Sequence, residues 1–189
     1  MNVSRERPRS SVVLDAGEWV LDGTRKGDEA TSIARWLASP MVAHVLGRTR
    51  ADPDPMRAMS YLRTFDGMAS HLFMIRRKAD GHPEGMVSIR MDGRHLVADL
   101  DVVIGMRTTR TRDGQTMLET VGRSVVRWAF VDVGMQKIMA RVLARNSRTA
   151  AWAGTHMRME GTLRGHARLP DGSRHDVLQY GLLRDEWQG

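Results

Sequence analysis

The 189 residues and 21.3 kDa of this chain are enough for one domain with a substantial hydrophobic core. A composition that is 41% hydrophobic and 27% charged, with no apolar run near the roughly 20 residues of a bilayer-crossing helix, predicts a soluble globular protein and no membrane partner. The lack of cysteine excludes disulfides, thiolate metal sites and a cysteine nucleophile and suits a reducing cytoplasm, while the net charge of +7 suits a phosphate-bearing partner.

Met1–Ser10 is polar and charged, without the apolar stretch of a secretory signal, and reads as a loose tail before a single domain over residues 11–189. Val12–Leu21 has strand-like apolar residues. Gly27–Gly47 reads as a helix with Asp28 at its start and an apolar stripe of Ile33, Trp36, Leu37, Met41, Val45 and Leu46. Asp52-Pro53-Asp54-Pro55 interrupts the chain before a second helix, Met56–Phe65, whose acidic start matches the unpaired N–H groups of a helix amino terminus. Three strands follow, Leu72–Lys78, Glu84–Met91 and His95–Gly105, joined by turns at Ala79–Pro83 and Asp92-Gly93. In the third, Val97, Asp99, Asp101 and Val103 point one way, and Leu96, Ala98, Leu100, Val102 and Ile104 the other.

A basic loop then leads to a long helix, Thr116–Val133, with Leu118, Val121, Val125, Trp128 and Ala129 along one side and Gly134 as its cap. Lys137–Leu143 is an apolar strand and Ser147–Thr155 a short helix. Glu160–Trp187 reads as two strands around a Pro170-Asp171-Gly172-Ser173 turn. Periodicity alone gives a mixed α/β domain.

The last hairpin carries more. Its run from Glu160-Gly161-Thr162-Leu163-Arg164 to His175-Asp176-Val177 and Tyr180-Gly181-Leu182-Leu183 strongly resembles the carboxy-terminal hairpin of the GNAT acyltransferases, nearest to the RimJ/RimL-type ribosomal-protein N-acetyltransferases of bacteria. The resemblance implies the GNAT fold: a central mixed, mostly antiparallel twisted sheet of about seven strands, flanked by helices in the order β-α-α-β-β-β-α-β-α-β-β. It also implies an enzyme that moves an acetyl group from acetyl-CoA to a primary amine in a ternary complex.

Acetyl-CoA carries a pyrophosphate, which backbone N–H groups at a helix amino terminus hold well. Arg107–Thr116 lies where the family places that loop, and Thr111-Arg112-Asp113-Gly114-Gln115-Thr116 keeps the family glycine while carrying Thr at both ends. Arg110, Arg112, Asp113, Gly114, Gln115 and Thr116 are therefore the expected phosphate-side residues, because a guanidinium fork donates two bonds to a phosphate. The resemblance assigns the backbone of Val102, Val103 and Ile104 to the pantetheine arm. Asn146-Ser147-Arg148-Thr149 is similar to the family's Asn-x-x-Ser, with Asn146 and Thr149 expected at the pantetheine and the thioester. As plain structure, the loop is a solvated basic turn, and Asn146 or Ser147 is a helix cap.

Attack on a thioester needs a neutral amine, so a carboxylate or histidine must take its proton. Val97-Ala98-Asp99-Leu100-Asp101 resembles the segment where relatives carry Ala-Glu-Ile-Gly-Tyr, with Asp99 on the Glu position. Two carboxylates on one strand face repel each other and raise one pKa. Asp99 is thus the expected base or relay, with Asp101 beside it; both could instead grip a cationic acceptor or simply pair with arginines. No tyrosine lies near Asn146, so protonation of the leaving thiolate falls to Thr149 or a water. His166 is the histidine best placed for substrate contact, the histidine spacing makes no metal motif, and Trp36, Trp128 and Trp152 are expected in the core. The acceptor is expected to be a small amine or a protein amino terminus, the assembly a monomer or homodimer. A GNAT-fold acyl-CoA-binding module without transfer activity is the alternative. Nucleic acid is not expected, since aromatics are few and no basic helix stands out.

Overall fold

In the computed structural model, which describes residues 11–23, 28–38, 55–105, 112–169 and 171–189, the first strand-like segment folds as a hairpin. β1 (Leu14–Ala16) and β2 (Trp19–Gly23) pair antiparallel around Gly17-Glu18. Gly17 takes a φ of +67°, which a residue without Cβ adopts freely, and its N–H donates to the Asp15 carboxylate at 3.0 Å. The split adds one strand to the expected seven.

The remaining strands are β3 (Ser70–Arg77), β4 (Pro83–Asp92), β5 (Val97–Ile104), β6 (Lys137–Leu143), β7 (Arg158–Arg168) and β8 (Arg174–Leu183). They form one sheet in the order β1-β2-β3-β4-β5-β6-β8-β7. Every neighbouring pair is antiparallel except β5–β6. β5 begins at Val97 rather than His95 because Leu96 closes the preceding turn with a φ of +54°. Its carbonyl accepts from the N–H groups of Gln136 and Lys137 at 2.7 and 3.2 Å, tying the start of β6 to the same corner.

Four α-helices flank the sheet among the described residues: α1 (Asp28–Leu37), α2 (Pro55–Leu62), α3 (Arg112–Arg127) and α4 (Ser147–His156). α1 is the first half of the expected Gly27–Gly47 helix; Met41, Val45 and Leu46 lie outside the described residues. Proline at the first position of α2 loses no helix bond there, and the helix ends at Leu62, where Thr64 and Phe65 close tighter turns. α3 starts four residues before the expected Thr116 and ends in a π-helical turn, Trp128–Asp132. That wider turn buries three successive residues, Trp128, Ala129 and Phe130. Gly134 follows with a φ of +87°, as expected of a residue closing the helix.

Two cores lie on opposite faces of the sheet, and strand alternation divides them. On one face Phe73, Ile75, Val87, Ile89 and Leu100 pack against Val121 and Val125 of α3. On the other, Leu72, Met74, Met86 and Val103 meet Ile33 and Leu37 of α1 and Tyr61 and Leu62 of α2. β3 is therefore apolar on both sides, as a central covered strand should be. Trp36 and Trp128 are buried as expected, and Trp152, half-buried, packs against the α3-side core. His71 belongs to the α3-side core: its ring stacks on Phe73, meets Trp128 edge-on and contacts the Met68 carbonyl at 3.0 Å. Burial lowers its pKa, which favours the neutral ring.

Candidate active site

β5 and β6 pair only across Val97↔Lys137, Ala98↔Ile138 and Asp99↔Met139, then part. β5 remains bonded to β4 as far as Gly85↔Ile104, and β6 remains bonded to β8 as far as Leu143↔Val177. A narrow cleft opens between them, lined by Asp101 and Val102 of β5, Arg141 and Leu143 of β6, and Asn146 and Thr149 of α4. Beyond the parting, the edge of β5 facing β6 has main-chain groups that no strand of the sheet takes up. Such an edge accepts an extended polar chain as an added strand would.

The two carboxylates share one face, as the alternation implies, but their surroundings differ. Asp99 is the last β5 residue paired with β6; its side chain is 48% exposed and 3.8 Å from the guanidinium of Arg141. Asp101 is the next residue on that face, past the parting, and it lines the cleft. Its cross-strand neighbour is Ser88, whose Oγ lies 3.4 Å from Asp101 Oδ2. Burial is the main cause that pushes the Asp101 carboxyl up to about 6; Arg90 opposes the shift, and the charge of Asp99 adds to it. Repulsion between the pair is thus a lesser cause than the low polarity around one member.

Arg90 stands opposite Asp99 on β4. Its guanidinium lies over the Phe65 ring at 4.5 Å from the centroid and donates to Thr64 Oγ1 at 3.3 Å. Tyr61, on the last turn of α2, reaches the same group of residues. Burial pushes its phenol up to about 12; Ser88 and Arg90 interact with the hydroxyl, and the Asp101 charge acts on it. Sequence reasoning missed Ser88, Arg90, Tyr61 and Arg141. The available signal was the period-2 phase that sets Ser88 and Arg90 on the face of Met86, and it gains meaning only from the β4–β5 register.

The expected phosphate loop is shorter than its sequence suggests. Residues 112–115 form the first turn of α3, and only Thr116, exposed on the second turn, is described to its side chain. Arg110 lies outside the described residues, as do the side chains of Arg112, Asp113, Gly114 and Gln115. A helix beginning there presents N–H groups without helical partners, the usual seat for a phosphate. Asn146 is the cap of α4: its Oδ1 accepts from the Thr149 N–H at 3.4 Å. The structural reading of Asn146 therefore holds, and the residue lines the cleft as well. Val102 also lines it, while Val103 and Ile104 continue the β5 backbone in register with Met86 and Gly85.

His166 stands exposed in the irregular stretch of β7 between Leu163 and Ala167. Among the described residues no hydrogen bond or ion pair joins it to Asp99 or Asp101. A roomier cleft of about 300 Å³ lies behind α4, bordered by Gly122, Trp152, His156 and Trp187. Nearby, Glu119 gathers Trp152 Nε1 at 2.9 Å, His156 Nε2 at 2.7 Å and Arg123 Nε at 3.1 Å. These polar groups are engaged with one another. Among the described residues there is no cluster of three or more metal-ligating side chains and no helix long and apolar enough to cross a membrane.

The family model for the acetyltransferase (GNAT) domain matches residues 20–155, well over half of the chain. No curated protein matches significantly. Among solved structures, a "probable acetyltransferase" superposes with a TM-score of 0.76 at 16% identity, covering 93% of this chain and 99% of the other. The ribosomal-protein-S5-alanine acetyltransferase of Vibrio fischeri gives 0.69 at 15% identity, covering 95% and 100%. Spermidine/spermine N-acetyltransferase SpeG of Vibrio cholerae gives 0.70 at 15%, covering 90% and 95%. At these identities the likenesses speak for the fold; the domain match over a parted β5–β6 pair makes the chain a member of the GNAT acetyltransferase family, whose enzymes take their acetyl group from acetyl-CoA.

Proposed function

We propose that the protein acetylates a primary amine by direct transfer, with Asp101 as the base, and that an α-amino group is the acceptor it serves best. The observation that carries this reading is Asp101 itself: a half-buried carboxylate at the parting of β5 and β6, its carboxyl raised to about 6. Such a group is largely ionised at neutral pH yet far more basic than an ordinary aspartate. An α-ammonium, with a pKa near 8, surrenders a proton to it at a cost of about two pH units; an alkylammonium near 10.4 costs about four. The charges agree, since Arg90 and Arg141 offset Asp99 and Asp101. A polyamine would look for carboxylates in excess.

Bound acetyl-CoA supplies an activated thioester carbonyl and a thiol leaving group. The first turn of α3 would hold its pyrophosphate, and the β5 backbone at Val102, Val103 and Ile104 would align its pantetheine arm. Asn146 and Thr149 border the cleft from α4, so the Thr149 hydroxyl or a water beside it protonates the departing thiolate. The acceptor enters from the α1–α2 face, toward which Asp99 and Asp101 point, and Asp101 takes its proton. The likeness of the Glu160–Trp187 hairpin to RimJ/RimL-type enzymes supports a protein amino terminus in a bacterial cytoplasm.

A thermal-shift titration with acetyl-CoA should raise the melting temperature by mass action. Thiol release is then followed with peptides of free amino terminus, simple alkylamines and spermidine. Peptides should react with the highest kcat/KM. Cofactor binding without thiol release for any amine would make the protein a binding module, and a preference for spermidine would refute the α-amine assignment.

A further inference from the structure

The reaction needs Asp101 held so that one carboxylate oxygen faces the cleft, and the cleft itself offers little to hold it. The other side of the residue does. Ser88 lies across the strand pair, 3% exposed, its Oγ 3.4 Å from Asp101 Oδ2. Tyr61 comes down from α2 onto the same spot, 7% exposed, interacting with Ser88 and Arg90 and feeling the charge of Asp101. The two hydroxyl groups thus lie on the α1–α2 side of the carboxylate, Ser88 across the strand pair and Tyr61 on the helix above it. α2 is fixed over them, because Tyr61 packs edge-on against Phe65 at 5.1 Å and Phe65 carries the Arg90 guanidinium.

We infer that Ser88 and Tyr61 are positioning residues for the base, in a line from the phenol through the serine hydroxyl to the carboxylate, coupling the acceptor-side helix α2 to the proton transfer. This rests on Asp101 being the base. The serine has one proton, and giving it to Asp101 leaves its oxygen free to accept from the phenol. The line favours the ionised carboxylate and fixes its rotamer. It also makes the base sensitive to where α2 sits. The other charged groups around Asp101 among the described residues are Arg90 on β4, Asp99 on β5 and Arg141 on β6.

The test is the pH dependence of kcat/KM for the acceptor in the full-length enzyme, for Ser88→Ala, Tyr61→Phe and Asp101→Asn. Loss of the serine hydroxyl should move the acid limb upward by about half a unit to one unit. Activity then falls about two- to fivefold at pH 6 and recovers by pH 9. Tyr61→Phe should move the limb in the same direction by less, Ser88→Thr should restore it, and the KM for acetyl-CoA should be unchanged. A limb lost in Asp101→Asn yet unmoved in both hydroxyl variants overturns this inference and leaves the base assignment standing. A limb that persists in Asp101→Asn overturns both. Should Ser88→Ala fold poorly, the Asp101 carboxyl is titrated by carbon-13 NMR in wild type and Tyr61→Phe, and identical midpoints would count against the line.

Discussion

Replacing Asp101 by Asn should stabilise the protein at the pH where it disables the reaction. In the folded chain this carboxyl titrates near 6, against 3.8 for an unperturbed aspartate. The folded state therefore holds the proton more tightly than the unfolded state. The stability this contributes is fully present below about pH 3.8 and is lost as the pH rises through 6, so the ionised form burdens the fold by about 3 kcal/mol at pH 8. Asn has the same shape, carries no charge and still accepts from Ser88. For a chain of this size each kcal/mol moves the midpoint by about 2–4 °C, so Asp101→Asn should melt up to about 10 °C higher than wild type at pH 8 and nearly level with it at pH 4. Scanning calorimetry without cofactor at several pH values gives the comparison, and taking the difference between the two proteins cancels every other titrating group. A gap that does not change with pH, or one that grows in favour of wild type as the pH rises, would refute the account of Asp101.

The buried pair of Asp22 and Arg76, 2.8 Å apart, should be intolerant of losing one partner. Arg76→Met is expected to cost about 3–5 kcal/mol in urea unfolding, and Asp22→Leu with Arg76→Met much less, because the buried carboxylate is then removed together with its guanidinium. Gly122→Ala places a methyl group 2.4 Å from the Trp152 ring. It should cost about 1–3 kcal/mol and weaken acetyl-CoA binding in calorimetric titration, since Trp152 also borders the cleft. Asn146→Ala should lose about 1 kcal/mol of stability with the cap. Asn146→Ser should restore that stability but not cofactor affinity; recovery of both would reduce Asn146 to a cap.

Much of the fold was legible because its signals are local. The alternation through Val97–Ile104, the Lys137–Leu143 strand and the Gly134 stop each follow from a few adjacent residues, and the structure keeps all three. The departures come where a local pattern had two readings. Leu14, Ala16, Trp19 and Leu21 are buried whether the chain runs straight or doubles back, and only the left-handed Gly17 decides for a hairpin. The start of α3 was placed late because Arg112-Asp113-Gly114-Gln115 has turn composition, and a helix's first turn tolerates such residues where its interior would not. Trp152 was assigned to the core on its type and does pack against it, but with its N–H bonded to Glu119 it lines a cleft as well.

The candidate site was legible as a strand, but its two carboxylates could not be told apart from sequence. Asp99 and Asp101 have the same side chain, the same face and neighbours of the same kind, so sequence offered only the position shared with relatives, which favoured Asp99. What separates them is set by partners distant in the chain. Met139 of β6 takes up Asp99, leaving it half in solvent beside Arg141, while Ser88 and Tyr61 close over Asp101. The point at which β5 and β6 part falls between the two carboxylates. Had the strands stayed paired for two more residues, Asp101 would have had a paired backbone and no cleft to face. The proposed choice of base thus follows from where a parallel pair stops, a property of register that neither residue carries alone.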